Sequence, residues 1–205
     1  MRPEHERLDT PRAAGIAGVV SAILMAAALV LVRVALPGGI SGDDVHVDAA
    51  QRGAVRAALT LLPFAGIAFL WFMAALRAQA GEREDRFVST VFLGSGLVFV
   101  ATLFGAAAAA ASALESQQHA AFGRNLAYAL LTTYALRMAA VFILTTSAMG
   151  RRLRVFPRPL VGFGYLAALT LLVVGADVPW SELVFPAWAL TVSLHMLRGR
   201  RIAQS

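Results

Sequence analysis

Cysteine and lysine are both missing from this 205-residue chain. Without cysteine there are no disulfides, thiolate nucleophiles, cysteine-ligated iron–sulfur clusters or cysteine zinc sites. Without lysine a retinal Schiff base is impossible, and all 18 basic residues are arginine. Charge itself is scarce, at 15% of residues against 59% hydrophobic, where soluble domains hold about a quarter and about a half. The arginine-only, alanine-rich composition points to a G+C-rich bacterial genome, which is a codon argument and carries no function.

What fills the chain instead is six long apolar runs separated by short polar loops. They lie at about residues 13–36, 55–76, 87–114, 126–150, 160–176 and 183–197. About 20 apolar residues suffice to cross the hydrocarbon core, so the expected fold is all-α: a single bundle of six transmembrane helices. The first run follows a charged N-terminus but is too long for a signal peptide's apolar region, so it is expected to be retained. The spans use up most of the chain, leaving no room for a separate soluble catalytic domain.

The arginines predict orientation. Arg2, Arg7 and Arg12 precede the first run; Arg77, Arg83 and Arg86 lie between the second and third. Arg151, Arg152, Arg154 and Arg158 lie between the fourth and fifth, and Arg198, Arg200 and Arg201 follow the sixth. With six spans all four segments fall on one side, and positive charge stays cytoplasmic. Both termini are therefore expected inside the cell membrane. The other side has only Arg52 and Arg124 in loops, with Arg33 and Arg56 near span ends. The net charge of +6 is explained by this topology and needs no nucleic acid as partner.

Small residues recur at four-residue steps: Ala14, Gly18, Ala22 and Ala26 in the first run, Ala101, Gly105 and Ala109 in the third. Such spacing lets helix backbones approach closely in lipid, either within one bundle or between copies in a homo-oligomer. Pro63 and Pro186 each remove a backbone donor and predict kinks in the second and sixth runs. They do not fall at matching places in two halves, so no inverted repeat is drawn from them.

Arg137 is the sharpest candidate for function. It stands in the middle of the fourth run with no acid at its depth in any other run. A central arginine costs roughly 2.5–3.5 kcal/mol on insertion scales, and such residues usually face the bundle interior. Thr133 and Tyr134, four and three residues earlier, share its face. The expected ligand of this group is an anion: an anionic lipid, a carboxylate substrate or a permeating small anion. The alternative is structural, with backbone carbonyls, Tyr134 and Thr133 satisfying the guanidinium.

Weaker candidates lie elsewhere. In the first outer loop Asp44, His46 and Asp48 would share one face if the segment is extended. Carboxylate and imidazole can hold a divalent metal, and Glu115, His119, Asp177 and Glu182 fall on the same side; a solvated acidic loop explains the residues equally. Ser95, within Gly94-Ser95-Gly96, and His195 carry the residue types of an intramembrane serine protease. Helix rise places them at different depths, and a nucleophile must reach its base. The charged loop Glu82-Arg83-Glu84-Asp85-Arg86 reads as a solvated turn or a docking point. Trp180 fits an interfacial anchor, with Trp71 and Trp188 left to bundle or lipid packing. No cofactor is implied.

The stretch Leu62-Pro63-Phe64-Ala65-Gly66-Ile67-Ala68-Phe69-Leu70-Trp71-Phe72, with Gly81–Phe87 and Val91-Phe92-Leu93-Gly94-Ser95-Gly96, resembles a family of uncharacterised bacterial six-span integral membrane proteins of actinobacterial type. The resemblance covers parts of the second and third runs and the loop between them, a minority of the chain. It implies no activity. The sequence therefore leaves two functional expectations: a small channel or transporter handling an anionic or amphipathic species near Arg137, or a non-transport accessory or scaffold subunit of a membrane complex.

Overall fold

The structure, a computed structural model, describes residues 10–35, 49–80, 86–115, 120–173, 178 and 180–198. Among them there is no strand. The elements are α1 (Thr10–Ala35), α2 (Ala49–Ala80), α3 (Arg86–Glu115), α4 (Ala120–Ala129), α5 (Leu136–Arg152), α6 (Arg158–Val173) and α7 (Val184–Arg198). A π-helical turn, Leu130–Ala135, joins α4 to α5 into one rod, and a 3₁₀ turn, Ser181–Leu183, leads into α7.

Four rods are long and apolar enough to cross a membrane: the stretches Gly15–Val32, Arg52–Gln79, Arg86–Leu114 and Ala121–Arg152. The apolar α6 has 16 residues and α7 has 15, so these two are shorter than the four. Such a set of apolar helices suits a membrane-embedded bundle, in which every backbone polar group is satisfied inside its own helix. The threonines follow the same rule. The hydroxyls of Thr60, Thr90, Thr102, Thr145, Thr146, Thr170 and Thr191 each donate to the carbonyl four residues back, which hides their polarity on apolar surfaces.

Consecutive helices pack side by side and close into a ring, with α7 returning to α1. Close approaches at small residues give the directions. Gly66 of α2 meets Phe104 and Val100 of α3, Gly96 of α3 meets Met73 of α2 and Phe142 of α5, and Gly164 of α6 meets Ser147 of α5 and Trp188 of α7. The two α2–α3 approaches set that pair antiparallel, Gly15 against Leu197 and Gly18 against Ser193 do the same for α1 and α7, and Gln79 against Met196 and Phe156 against His195 bring the neighbouring ends together. Arg77, Arg86, Arg151, Arg152, Arg154, Arg158 and Arg198 consequently gather at one end, called here the basic end.

Lipid offers no hydrophobic drive for helix association, so packing and interhelical hydrogen bonds must hold the ring. At its centre Phe69 of α2 lies 5.3 Å from Phe99, 5.0 Å from Phe142 and 5.7 Å from Phe185, all edge-on. Phe92 stacks on Phe142 at 4.9 Å, and Trp188 meets Phe142 edge-on at 6.1 Å. The cluster ties α2, α3, α5 and α7 together with geometry that aromatic pairs favour. Ser21 of α1 adds an interhelical bond, its hydroxyl donating to the Ala65 carbonyl of α2 at 3.1 Å.

The small-residue stripe of α1 is used inside the ring. Gly18 and Ala22 are buried, and a Cβ at Gly18 would collide with Ser193 Oγ and come within 2.6 Å of the Phe72 ring. On α3, Ala109 lies under α4, where a Cβ on Gly123 would sit 2.8 Å from the Ala109 carbonyl oxygen. Pro63 lies within α2, which continues through it. The kink expected at Pro186 is not there. Pro186 is in the first turn of α7, directly after the 3₁₀ turn, where a missing N–H interrupts little.

Candidate functional site

The rod from α4 to α5 carries the features with chemical content. Its π turn is real in hydrogen-bond terms: the Leu136 N–H donates to the Leu131 carbonyl, five residues back. Such turns appear mostly as single insertions, frequently at functional sites. This one separates two faces of the rod. Leu131, Thr132 and Ala135 point into the ring, where they line a cavity. Thr133, Tyr134 and Arg137 point out of it.

The expectation that Arg137 faces the bundle interior is therefore corrected: the side chain is exposed on the perimeter. The inward face of α5 is taken by Phe142, which packs on Phe69 and their ring partners. Arg137 Nη1 donates to the Thr133 carbonyl oxygen at 2.7 Å. The bond goes to the backbone and to neither hydroxyl of Thr133 or Tyr134. Tyr134 shares the face at 57% exposure. A guanidinium has five N–H donors, so one such bond leaves most of them for another molecule.

The rest of the perimeter shows how unusual this is. Ile16 and Ile23 of α1, Ile67 and Trp71 of α2, and Leu166 and Leu169 of α6 are all more than half exposed. These are lipid-type surfaces. Arg137 interrupts them at roughly 25 Å from the start of the rod and 22 Å from its end, by helix rise. An arginine near a helix end snorkels to the interface, but the half-thickness of the core is about 15 Å, more than one side chain covers.

The second feature is the cavity, of about 90 Å³, between α1, α2, α3, the α4–α5 rod and α7. Its floor is the aromatic cluster, through Phe99 and Phe185. Met25 and Leu29 of α1 and Leu103 of α3 form its walls, and Tyr128, Trp180 and Glu182 bring polar atoms from the end opposite the basic one. Trp180 has a left-handed backbone, φ 70°, and opens the 3₁₀ turn that carries Glu182. Thr132 Oγ1 donates to the Tyr128 carbonyl at 2.8 Å. One turn before Tyr128 on the same face, Arg124 holds a buried Nε with no hydrogen-bond partner in the structure.

The remaining sequence candidates are not brought together. Ser95 donates to the Phe92 carbonyl of its own helix at 3.1 Å, and the His195 ring lies edge-on to Phe156 at 6.3 Å. Asp44, His46, Asp48, His119 and Asp177 lie outside the described residues, as does the loop 81–85. Among the described residues no three metal-ligating side chains cluster. Trp188 belongs to the core and Trp71 to the perimeter, at 1% and 68% exposure. Nothing in the sequence signalled the cavity or the π turn: the one comes from how five helices cross, the other from a single misplaced hydrogen-bond register.

No protein family, characterised protein or solved structure matches this chain.

Proposed function

We propose that this chain is a six-span protein of the cell membrane, with both termini cytoplasmic, that acts as a non-transport subunit by docking an acidic transmembrane helix of another membrane protein on the Arg137 face. The topology is supported by the gathering of arginines at the basic end, which positive charge would hold in the cytoplasm. The docking is supported by one observation above the rest: Arg137 is exposed at mid-rod on an otherwise apolar perimeter.

Three arguments narrow the partner. A lipid phosphate sits at headgroup level, and Arg137 stands about 15 Å deeper, at mid-core. A second copy of this chain would bring a second Arg137 and no acid at that depth, so like charges would meet. An Asp or Glu on a foreign helix meets the guanidinium at the right level and satisfies its donors in bidentate geometry. Tyr134 and Thr133 would border that contact.

The other reading, passage of an anionic or amphipathic species near Arg137, requires a route along the perimeter between this chain and another, since the ring centre is packed with aromatic side chains. It resolves into the same prediction of a partner. The resemblance to actinobacterial-type six-span proteins is compatible with either and rests on its own residues.

The test is energy transfer in liposomes between the labelled protein and a leucine-rich host helix bearing one central glutamate. Association is expected with the glutamate helix, absent with its glutamine counterpart and absent with Arg137→Leu. Equal association of both host helices, or none, overturns the docking proposal.

A further inference from the structure

Two irregular stretches of backbone border one cavity inside the ring. The π turn of the α4–α5 rod contributes Leu131, Thr132 and Ala135, and the 3₁₀ turn before α7 contributes Glu182 and Leu183. Trp180, which opens the 3₁₀ turn, lines the same cavity and has a left-handed backbone, φ 70°. For so bulky a residue that conformation is an outlier. Such strain persists only where the surroundings hold it in place, and it gathers at ligand clamps. π turns likewise gather at functional sites.

The lining is apolar almost throughout, with Leu29 of α1, Phe99 and Leu103 of α3 and Leu131 of the rod. Among the described residues that line it, Glu182 is the one charged side chain, and it is an acid. Trp180 and Tyr128 are there too, the two aromatic types that best attract a cation. This set complements a cation and opposes an anion. A carboxylate attracts an ammonium head, and apolar walls take the alkyl group that such a head carries. Glu182 and Trp180 also make contacts within the protein; a carboxylate has about four acceptor positions, enough for a neighbour and a ligand together. Thr132 offers no donor, since its hydroxyl proton is given to the Tyr128 carbonyl. Volume sets the size of the ligand. The cavity holds about 90 Å³ against roughly 150 Å³ for an engineered cavity that admits six-carbon benzene, which in proportion leaves room for about four carbons.

We infer that this cavity binds a monovalent ammonium cation bearing a short alkyl group, with the cation at Glu182 and Trp180 and the alkyl group against Leu29, Leu103 and Leu131. The π turn shapes the site by turning Leu131, Thr132 and Ala135 into it while Thr133 and Arg137 stay outside. The site is separate from the Arg137 face and stands without it.

The experiment is equilibrium dialysis of the full chain in maltoside micelles against radiolabelled butyltrimethylammonium, with protein-free micelles as the blank. Saturable binding of one cation per chain is expected. Pentanol and butyrate should compete about tenfold or more weakly, a ratio in the range of a desolvated cation–π contact. Glu182→Gln keeps the shape of the side chain and should weaken binding by a similar factor. Leu29→Phe and, separately, Leu131→Phe should abolish binding by filling the cavity from two different helical rods, so that misfolding of one variant does not decide the result. Absent or unsaturable binding, binding indifferent to Glu182→Gln or to both filling variants, or equal competition by pentanol or butyrate overturns the assignment. None of these readouts depends on Arg137.

Discussion

Arg137 Nη1 and the Thr133 carbonyl oxygen, 2.7 Å apart and one turn from each other, form a hydrogen bond on the outer surface of the helix ring. The guanidinium is thus anchored to its own backbone with the rest of its donors turned outward. Stability and function make opposite demands at this position, and that opposition yields the first prediction.

Removing the charge should stabilise the isolated protein. Arg137→Leu replaces a central charge that costs roughly 2.5–3.5 kcal/mol with a residue the bilayer accepts. A gain of about 1–3 kcal/mol in reversible unfolding in bicelles is expected, together with loss of the partner. A structural guanidinium would behave in the reverse way, with the variant less stable.

Two glycines of one helix should respond oppositely to alanine. A Cβ at Gly162 meets nothing within 4 Å, whereas one at Gly164 collides with Ser147 Oγ and lies 3.1 Å from Trp188 Nε1. Gly162→Ala should stabilise by up to about 1 kcal/mol through helix propensity. Gly164→Ala should destabilise by about 1–3 kcal/mol through overpacking, and adding Ser147→Ala should recover part of the loss. Thermal unfolding of the four proteins in one detergent checks the set.

Neighbouring aromatics on α2 should differ just as sharply. Phe69 is fully buried at the hub of the aromatic cluster, and Trp71 is 68% exposed. Phe69→Ala should cost about 3–5 kcal/mol. Trp71→Ala should change stability by no more than about 0.5 kcal/mol, as surface substitutions do. Equal effects would mean that the cluster is not what holds α2 to α3, α5 and α7.

The chain has no cysteine, so single cysteines report orientation without a background. Arg158→Cys at the basic end should resist an impermeant maleimide in intact cells, and Ala50→Cys at the start of α2 should react. The reverse pattern would invert the proposed topology.

Much of the fold was legible because its signal is one-dimensional. A run of apolar residues such as 55–76 gives a helix wherever backbone groups must satisfy themselves, and α2 extends past both ends of that run, from Ala49 to Ala80. The extra turns carry Gln51, Arg52, Arg77 and Gln79, polar residues that an apolar run omits but a helix leaving the core still accommodates. The site was less legible because it depends on rotation about a helix axis. Thr133, Tyr134 and Arg137 were placed on one face, and they share it, but sequence spacing does not say whether a face turns inward. The usual inward rule for charge failed at Arg137 because Phe142, five residues on, claims the interior with four ring contacts. Pro186 read as a kink although a run drawn from residue 183 already put it in the first turn, as α7 starting at Val184 does, where a missing N–H interrupts little. Tyr128, Trp180 and Glu182 line one cavity from two distant segments, a convergence that no local pattern encodes.

The most direct measurement is photocrosslinking at Tyr134, replaced by benzoylphenylalanine, in native membranes with Arg137 intact and with Arg137→Leu. The docking proposal predicts a discrete adduct with a different membrane protein, cross-linked next to an intramembrane Asp or Glu, that disappears with Arg137→Leu. A self-dimer, adducts with lipid alone, or an adduct that survives the loss of Arg137 would contradict it.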